Sequence, residues 1–221
     1  MKKILVIAPH PDDEVLGCGG TIIKNIKAGN EVFLCIMTKG EETYYGKEVL
    51  EEKRKEVLRV ANLIGIKKVF FCDFIAASLD VVPQNEINHK LKEIIEECQP
   101  NELFIPHQGD LHKDHQITFQ CALIAAKPKI NPFIKKIFSY EVISETEQSS
   151  PYTTPFIPNI YIDISQELAK KGEAMSLYKS ELREYPHPRS LKGAEIKAIQ
   201  RGNEVCLEAA ETFMLIREII K

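Results

Sequence analysis

Two rhythms alternate through residues 1–126. Short apolar runs, rich in β-branched residues, occur at 4–8, 32–37, 68–72 and 103–106. Runs of this kind fit strands buried on both faces. Between them lie longer stretches with helical spacing. Residues 14–27 end at Gly29. Residues 46–64 carry Val57, Val60, Ala61 and Ile64 on one face and end at Gly65. Residues 84–98 place Ile87, Leu91, Ile94 and Ile95 on one face, and 114–126 follow the fourth strand. Strand–helix alternation predicts a mostly parallel, Rossmann-like sheet with helices on both faces. Beyond residue 126 the rhythm changes. Residues 134–143 and 160–164 look like strands, and 144–158, rich in Ser, Thr and Pro, like a loop. Residues 166–220 read as a helical tail broken near Tyr185-Pro186-His187-Pro188. No repeat, linker or low-complexity segment divides the chain, so the expectation is a single α/β domain over 1–221.

Composition narrows the class. The chain has 221 residues, 44% of them apolar and 28% charged, which excludes a disordered or collagen-like polymer. Twenty-nine basic residues against 32 acidic ones give a net charge of −3, so no basic excess points to nucleic acid. The six cysteines are scattered singly, without a CxxC pair, and read as reduced thiols. The apolar run before Pro9 is too short for a signal-peptide core, and no run reaches the ~18 residues of a membrane span. The expectation is a soluble, cytoplasmic protein.

Two clusters carry the chemistry. His10-Pro11-Asp12-Asp13-Glu14 follows the first strand directly. Ligands of open parallel sheets bind beyond the carboxyl ends of the strands, so this cluster lies where a site belongs. Imidazole and carboxylate together suit zinc or another borderline divalent metal. Helix capping would account for one acidic residue here, but not for His10 and three consecutive acids. The second cluster, 107–115, follows the fourth strand and packs three of the six histidines, His107, His112 and His115, into nine residues with Asp110 and Asp114. Both clusters fall at one edge of the sheet, and three protein ligands with an open position describe a catalytic metal. Gly17-Cys18-Gly19-Gly20 lacks the GxGxxG spacing of a dinucleotide loop and reads as close helix packing.

With those motifs the chain resembles the PIG-L/LmbE-like zinc-dependent N-deacetylases. The first signature is His10-Pro-Asp12-Asp13-Glu14; the second is Asp110-Leu-His112-Lys-Asp114-His115. Tyr140-Glu141, Asp163-Ile-Ser165, His187-Pro-Arg189-Ser190 and the stretch from Arg201 to Phe213 resemble a bacterial branch. The resemblance implies His10, Asp13 and His115 as zinc ligands, with Fe2+ as the other candidate metal. It implies Asp12 as general base, His112 facing the substrate carbonyl, Asp114 orienting His112, and Arg54 as a substrate-binding residue. Lys113 stands where the family usually has Pro, and is expected at solvent or the cleft mouth. The implied substrate is a small N-acetylated sugar of the N-acetylglucosamine type. Tyr44, Tyr45 and residues 144–158 are candidates for its pocket, and His187 and Arg189 for substrate or subunit contact. A homo-oligomer is compatible with the family.

Two other readings compete. A two-metal phosphoesterase would need more bridging carboxylates, with Glu14 and Asp110 as the candidates. A non-catalytic metal- or nucleotide-binding module would close the shell with a fourth protein ligand, with His107 as the candidate.

Overall fold

The computed structural model describes residues 1–152 and 154–220. One seven-stranded sheet takes in every described strand: β1 (Lys3–Ala8), β2 (Glu31–Lys39), β3 (Lys68–Ile75), β4 (Glu102–Pro106), β5 (Lys136–Tyr140), β6 (Ile160–Asp163) and β7 (Ala210–Glu218). Their order is β3-β2-β1-β4-β5-β7-β6. Neighbours from β3 to β5 pair in parallel, whereas β7 runs antiparallel to both β5 and β6. The helices are α1 (Asp13–Lys27), the short α2 (Glu42–Tyr45), α3 (Lys47–Ile64), α4 (Gln84–Cys98), α5 (Lys113–Ala125), α6 (Leu168–Ser176) and α7 (Leu191–Asn203).

Period-2 alternation in fully apolar strands gives the sheet two buried faces. Ile4, Val6, Leu34 and Ile36 pack on one side with Val15, Val57, Val60 and Met175 of α1, α3 and α6. Leu5, Ile7, Cys35 and Met37 pack on the other with Ile87, Leu91 and Ile95 of α4 and Phe119 and Ala122 of α5. The expected α/β architecture is therefore present, with helices on both faces.

The predicted helical tail needs correction. It does contain α6 and α7, but Ala210–Glu218 is a strand, inserted between β5 and β6. Partners on both sides decide its conformation, overriding a sequence with good helix formers.

The glycines of α1 serve packing, as their spacing suggests. A Cβ on Gly17 would lie 2.3 Å from the Tyr140 ring, and one on Gly20 would lie 2.7 Å from Ile164. α1 also bends at Cys18 (φ −146°). The amides of Gly20 and Thr21, freed by the bend, donate to Glu211 of β7 at 2.8 and 2.7 Å. Lys171 of α6 neutralises that buried carboxylate at 2.6 Å. All six cysteines are free thiols. No helix among the described residues is long and apolar enough to cross a membrane.

Candidate active site

The strand order reverses direction between β1 and β4, and a crevice opens there at the carboxyl ends of the two strands. Both motifs sit at this point. Residues 10–14 leave β1 into α1, and residues 107–115 leave β4 into α5.

Three atoms form a nearly equilateral triangle. His10 Nδ1 to Asp13 Oδ2, His115 Nε2 to Asp13 Oδ2, and His115 Nε2 to His10 Nδ1 are each 3.3 Å. Donors at about 2.0–2.1 Å from a tetrahedral zinc stand about 3.3–3.4 Å apart, so the set has the right size for one such ion. The far nitrogens are fixed by carboxylates: His10 Nε2 donates to Asp114 Oδ2 at 3.0 Å, and His115 Nδ1 to Asp110 Oδ2 at 2.8 Å. In neutral rings those nitrogens carry the hydrogens, which leaves lone pairs on the two triangle nitrogens. Burial alone would lower the His115 pKa, but Asp13 and then Asp110 reverse this and raise it to about 10 in the metal-free chain. Burial opposes ionisation of Asp13 too, but its two imidazole neighbours hold its pKa well below the usual carboxylate range.

Asp12 is buried, yet its Oδ2 has no hydrogen-bond partner. It occupies the N-cap position of α1 at φ 99° and makes no side-chain capping bond, so capping does not explain it. Burial, followed by the charge of Asp13, raises its pKa well above the ordinary value. A left-handed non-glycine residue whose buried carboxylate oxygen accepts no hydrogen bond, beside a metal-sized triangle, has the marks of strain held for function.

His112 is the N-cap of α5. Its Nδ1 accepts the Asp114 backbone N–H at 3.1 Å, which places the ring hydrogen on Nε2. Burial, then the neighbouring imidazoles His10 and His115, lower its pKa to about 4, so the metal-free ring is neutral. Its ring lies 4.4 Å from that of His10, and one nitrogen from each of His10, His112 and His115 falls within a 4.8 Å group.

Asp114 touches two imidazoles, His112 through its backbone N–H and His10 through its side chain. Its carboxylate holds His10, and lies 4.0 Å from His112 Nδ1. It is buried and also accepts the amides of Ala77 and Leu79 at 2.7 and 3.1 Å, which ties the β3–α4 connection to the site.

A cleft of about 840 Å³ runs outward from His10, Asp12 and His112 past Arg54 to Tyr44 and Tyr45. Arg54 therefore reaches the cleft. Its guanidinium stacks 3.7 Å over the Phe71 ring and bonds Asp73 at 2.8 Å. Arg189 lines the same cleft, with Nη1 3.8 Å from Asp12 Oδ2, while Ser144 and Glu145 hold its other edges at 2.6 and 2.7 Å. None of the described residues of 144–158 lines the cleft; Thr153 lies outside the described residues. They act behind it. Thr146 Oγ1 accepts the Val142 amide at 2.8 Å and donates to Asp110 Oδ1 at 2.6 Å. Sequence reading did not find Thr146, because no local spacing signals a contact 36 residues distant. Lys113 is exposed and bonds Gln116, and His89 is exposed beside Glu93.

The features required by the rival readings are otherwise engaged. His107 Nε2 donates to Thr154 O at 2.8 Å. Asp110 is saturated by His115 and Thr146, and Glu14 is bonded through Oε1 by the Tyr178 hydroxyl, with its buried Oε2 accepting no hydrogen bond. Burial raises the Glu14 pKa to about 7.

Comparison with known proteins is consistent with this geometry. The family model described as PIG-L, GlcNAc-PI de-N-acetylase, matches residues 5–126. The chain is 26% identical over 202 residues to the diacetylchitobiose deacetylase of Thermococcus kodakarensis, covering 83% of this chain and 72% of that protein. It is 24% identical over 189 residues to a probable N-acetyl-alpha-D-glucosaminyl L-malate deacetylase 2 of Bacillus anthracis, covering 81% of each. The solved structure of the N,N'-diacetylchitobiose deacetylase from Pyrococcus horikoshii superposes with a TM-score of 0.80 at 26% identity, over 98% of this chain and 84% of that one.

Proposed function

Since this chain belongs to the PIG-L family of de-N-acetylases, we propose that it is a metal-dependent hydrolase that removes the acetyl group from an N-acetylglucosamine-type sugar. The observation that carries this reading is the 3.3 Å triangle of His10 Nδ1, Asp13 Oδ2 and His115 Nε2 beside Asp12, whose buried Oδ2 accepts no hydrogen bond. We assign these three as the metal ligands and zinc as the ion, because two imidazoles and a carboxylate with an open fourth position match catalytic zinc sites. A divalent metal held there supplies Lewis acidity and a water whose pKa is brought to about 7.

The other roles fall to the chain itself. Asp12 takes the proton of the attacking water and passes it to the leaving amine nitrogen; a raised pKa suits both steps. His112 donates from Nε2 to the carbonyl oxygen as negative charge develops there, which suits a ring that is neutral and fixed as a cap. Asp114 and Asp110 keep the two ligand imidazoles oriented. Arg54 binds substrate hydroxyls from the cleft wall. The catalytic unit is the whole of 1–221, since Arg189 and Glu181, far beyond residue 126, line the same cleft.

The test is acetate release from N-acetylglucosamine derivatives by the zinc-loaded protein, with Asp12→Asn as control. The expected outcome is release by the wild type and a loss of at least about 100-fold in the variant at unchanged metal content. Near-normal turnover by Asp12→Asn would remove Asp12 from the base role.

A further inference from the structure

The outer half of the cleft is not needed to hold an N-acetyl group, and its chemistry is specific. Pockets for drug-sized ligands span about 300–1,000 Å³. At about 840 Å³, this cleft exceeds what one hexosamine ring fills. The remaining space ends at α2, where Tyr44 is 81% exposed and Tyr45 52% exposed. Tyr45 is braced. Lys53 Nζ sits 5.0 Å from its ring centroid, and its ring lies against Gly40, where a Cβ would come within 2.8 Å of it. Tyr44 is left as an open aromatic surface at the lip.

Charge pairing limits what this half can take. Glycosides of acids or phosphates are gripped by cations with open hydrogen-bond edges. Of the five basic heads in the cleft wall, three carry carboxylates at close range: Lys53 with Glu181 at 2.6 Å, Arg54 with Asp73 at 2.8 Å, and Arg189 with Glu145 at 2.7 Å; Lys47 stands 3.9 Å from Glu51, and Lys39 is exposed at the edge. The lining as a whole holds five basic side chains against six acidic ones. Such a wall offers paired donors and acceptors to hydroxyl groups and has no surplus of cations for a dianion. An exposed ring beside it offers a face to the apolar side of a sugar.

Building on the deacetylase reading above, we propose that the outer cleft is a subsite for a second, uncharged sugar ring, with Tyr44 as its stacking face. The substrate is then the end of an N-acetylated oligosaccharide, and not the N-acetylglucosaminide of an acid or a phospholipid.

The experiment compares kcat/KM for free N-acetylglucosamine, N,N'-diacetylchitobiose and N-acetylglucosaminyl malate in the wild type, Tyr44→Ala and Tyr44→Phe. The disaccharide is expected to exceed the monosaccharide by about ten-fold, the stacking contribution of one aromatic ring. Tyr44→Ala should bring that ratio close to one, chiefly through KM, and Tyr44→Phe should restore it. A malate glycoside that is the best substrate, or a ratio that Tyr44→Ala leaves unchanged, overturns the subsite. If none of the three releases acetate, the deacetylase reading fails, and saturation-transfer NMR of N,N'-diacetylchitobiose then tests the subsite by itself. Binding by the wild type that weakens in Tyr44→Ala supports it. Equal binding by both, or none by the wild type, overturns it.

Discussion

Asp12 shows how much one position can carry. Its backbone, at φ 99°, is in a region that side chains other than Asn and Asp rarely adopt. Asn is therefore the substitution that removes the charge and keeps both shape and backbone, which is why it serves as the control above. His115 is informative in another way. In the metal-free chain its proton is held by Asp13 and Asp110 up to a pKa of about 10. The stability this proton confers is complete below the unfolded value near 6.5 and is lost as pH rises through about 10. A metal ion needs the same nitrogen unprotonated, so zinc binding at pH 7 should release about one proton from this site, and apparent affinity should rise with pH up to about 10. Calorimetric titration in buffers of different ionisation enthalpy measures the release. A value of zero would mean that His115 is not a ligand.

At the level of elements, connections position the site as much as strands do. The segment after β5 reaches back through Thr146 to Asp110, and so to His115. Because the Thr146 hydroxyl accepts the Val142 amide, its hydrogen is left for Asp110. Thr146→Val should weaken zinc binding about ten-fold, the lower end for groups behind a ligand, and Thr146→Ser should restore it; competition with a chelator reads both. The bend in α1 depends on another long-range pair, Glu211 with Lys171. Lys171→Met leaves a buried carboxylate without its counter-charge and should cost about 3–5 kcal/mol in denaturant unfolding. The strands β1, β2 and β4 were legible because burial on both faces writes itself as unbroken apolar runs. The strand β7 was not. Ala210-Glu-Thr-Phe-Met-Leu-Ile-Arg-Glu218 mixes polar and apolar residues, and its neighbours in the sheet are distant in sequence.

For the whole molecule, the metal-binding residues were legible because each cluster is local and both follow strands, so a parallel sheet brings them to one edge. Glu181 and Thr146 were not, and Arg189 was legible only as a candidate for substrate or subunit contact, since their place depends on how the part of the chain after β5 wraps across that edge. The order β5-β7-β6 has a consequence for how the protein comes into being. β6 has no sheet partner until β7, about 50 residues later, slides in beside it. Residues 164–209, with α6, the Arg189 segment and α7, are made in that interval. A nascent chain that has already folded β1 to β5 thus holds the metal triangle but lacks one wall of its cleft. On this topology, the ability to grip a metal precedes the ability to choose a substrate during biosynthesis.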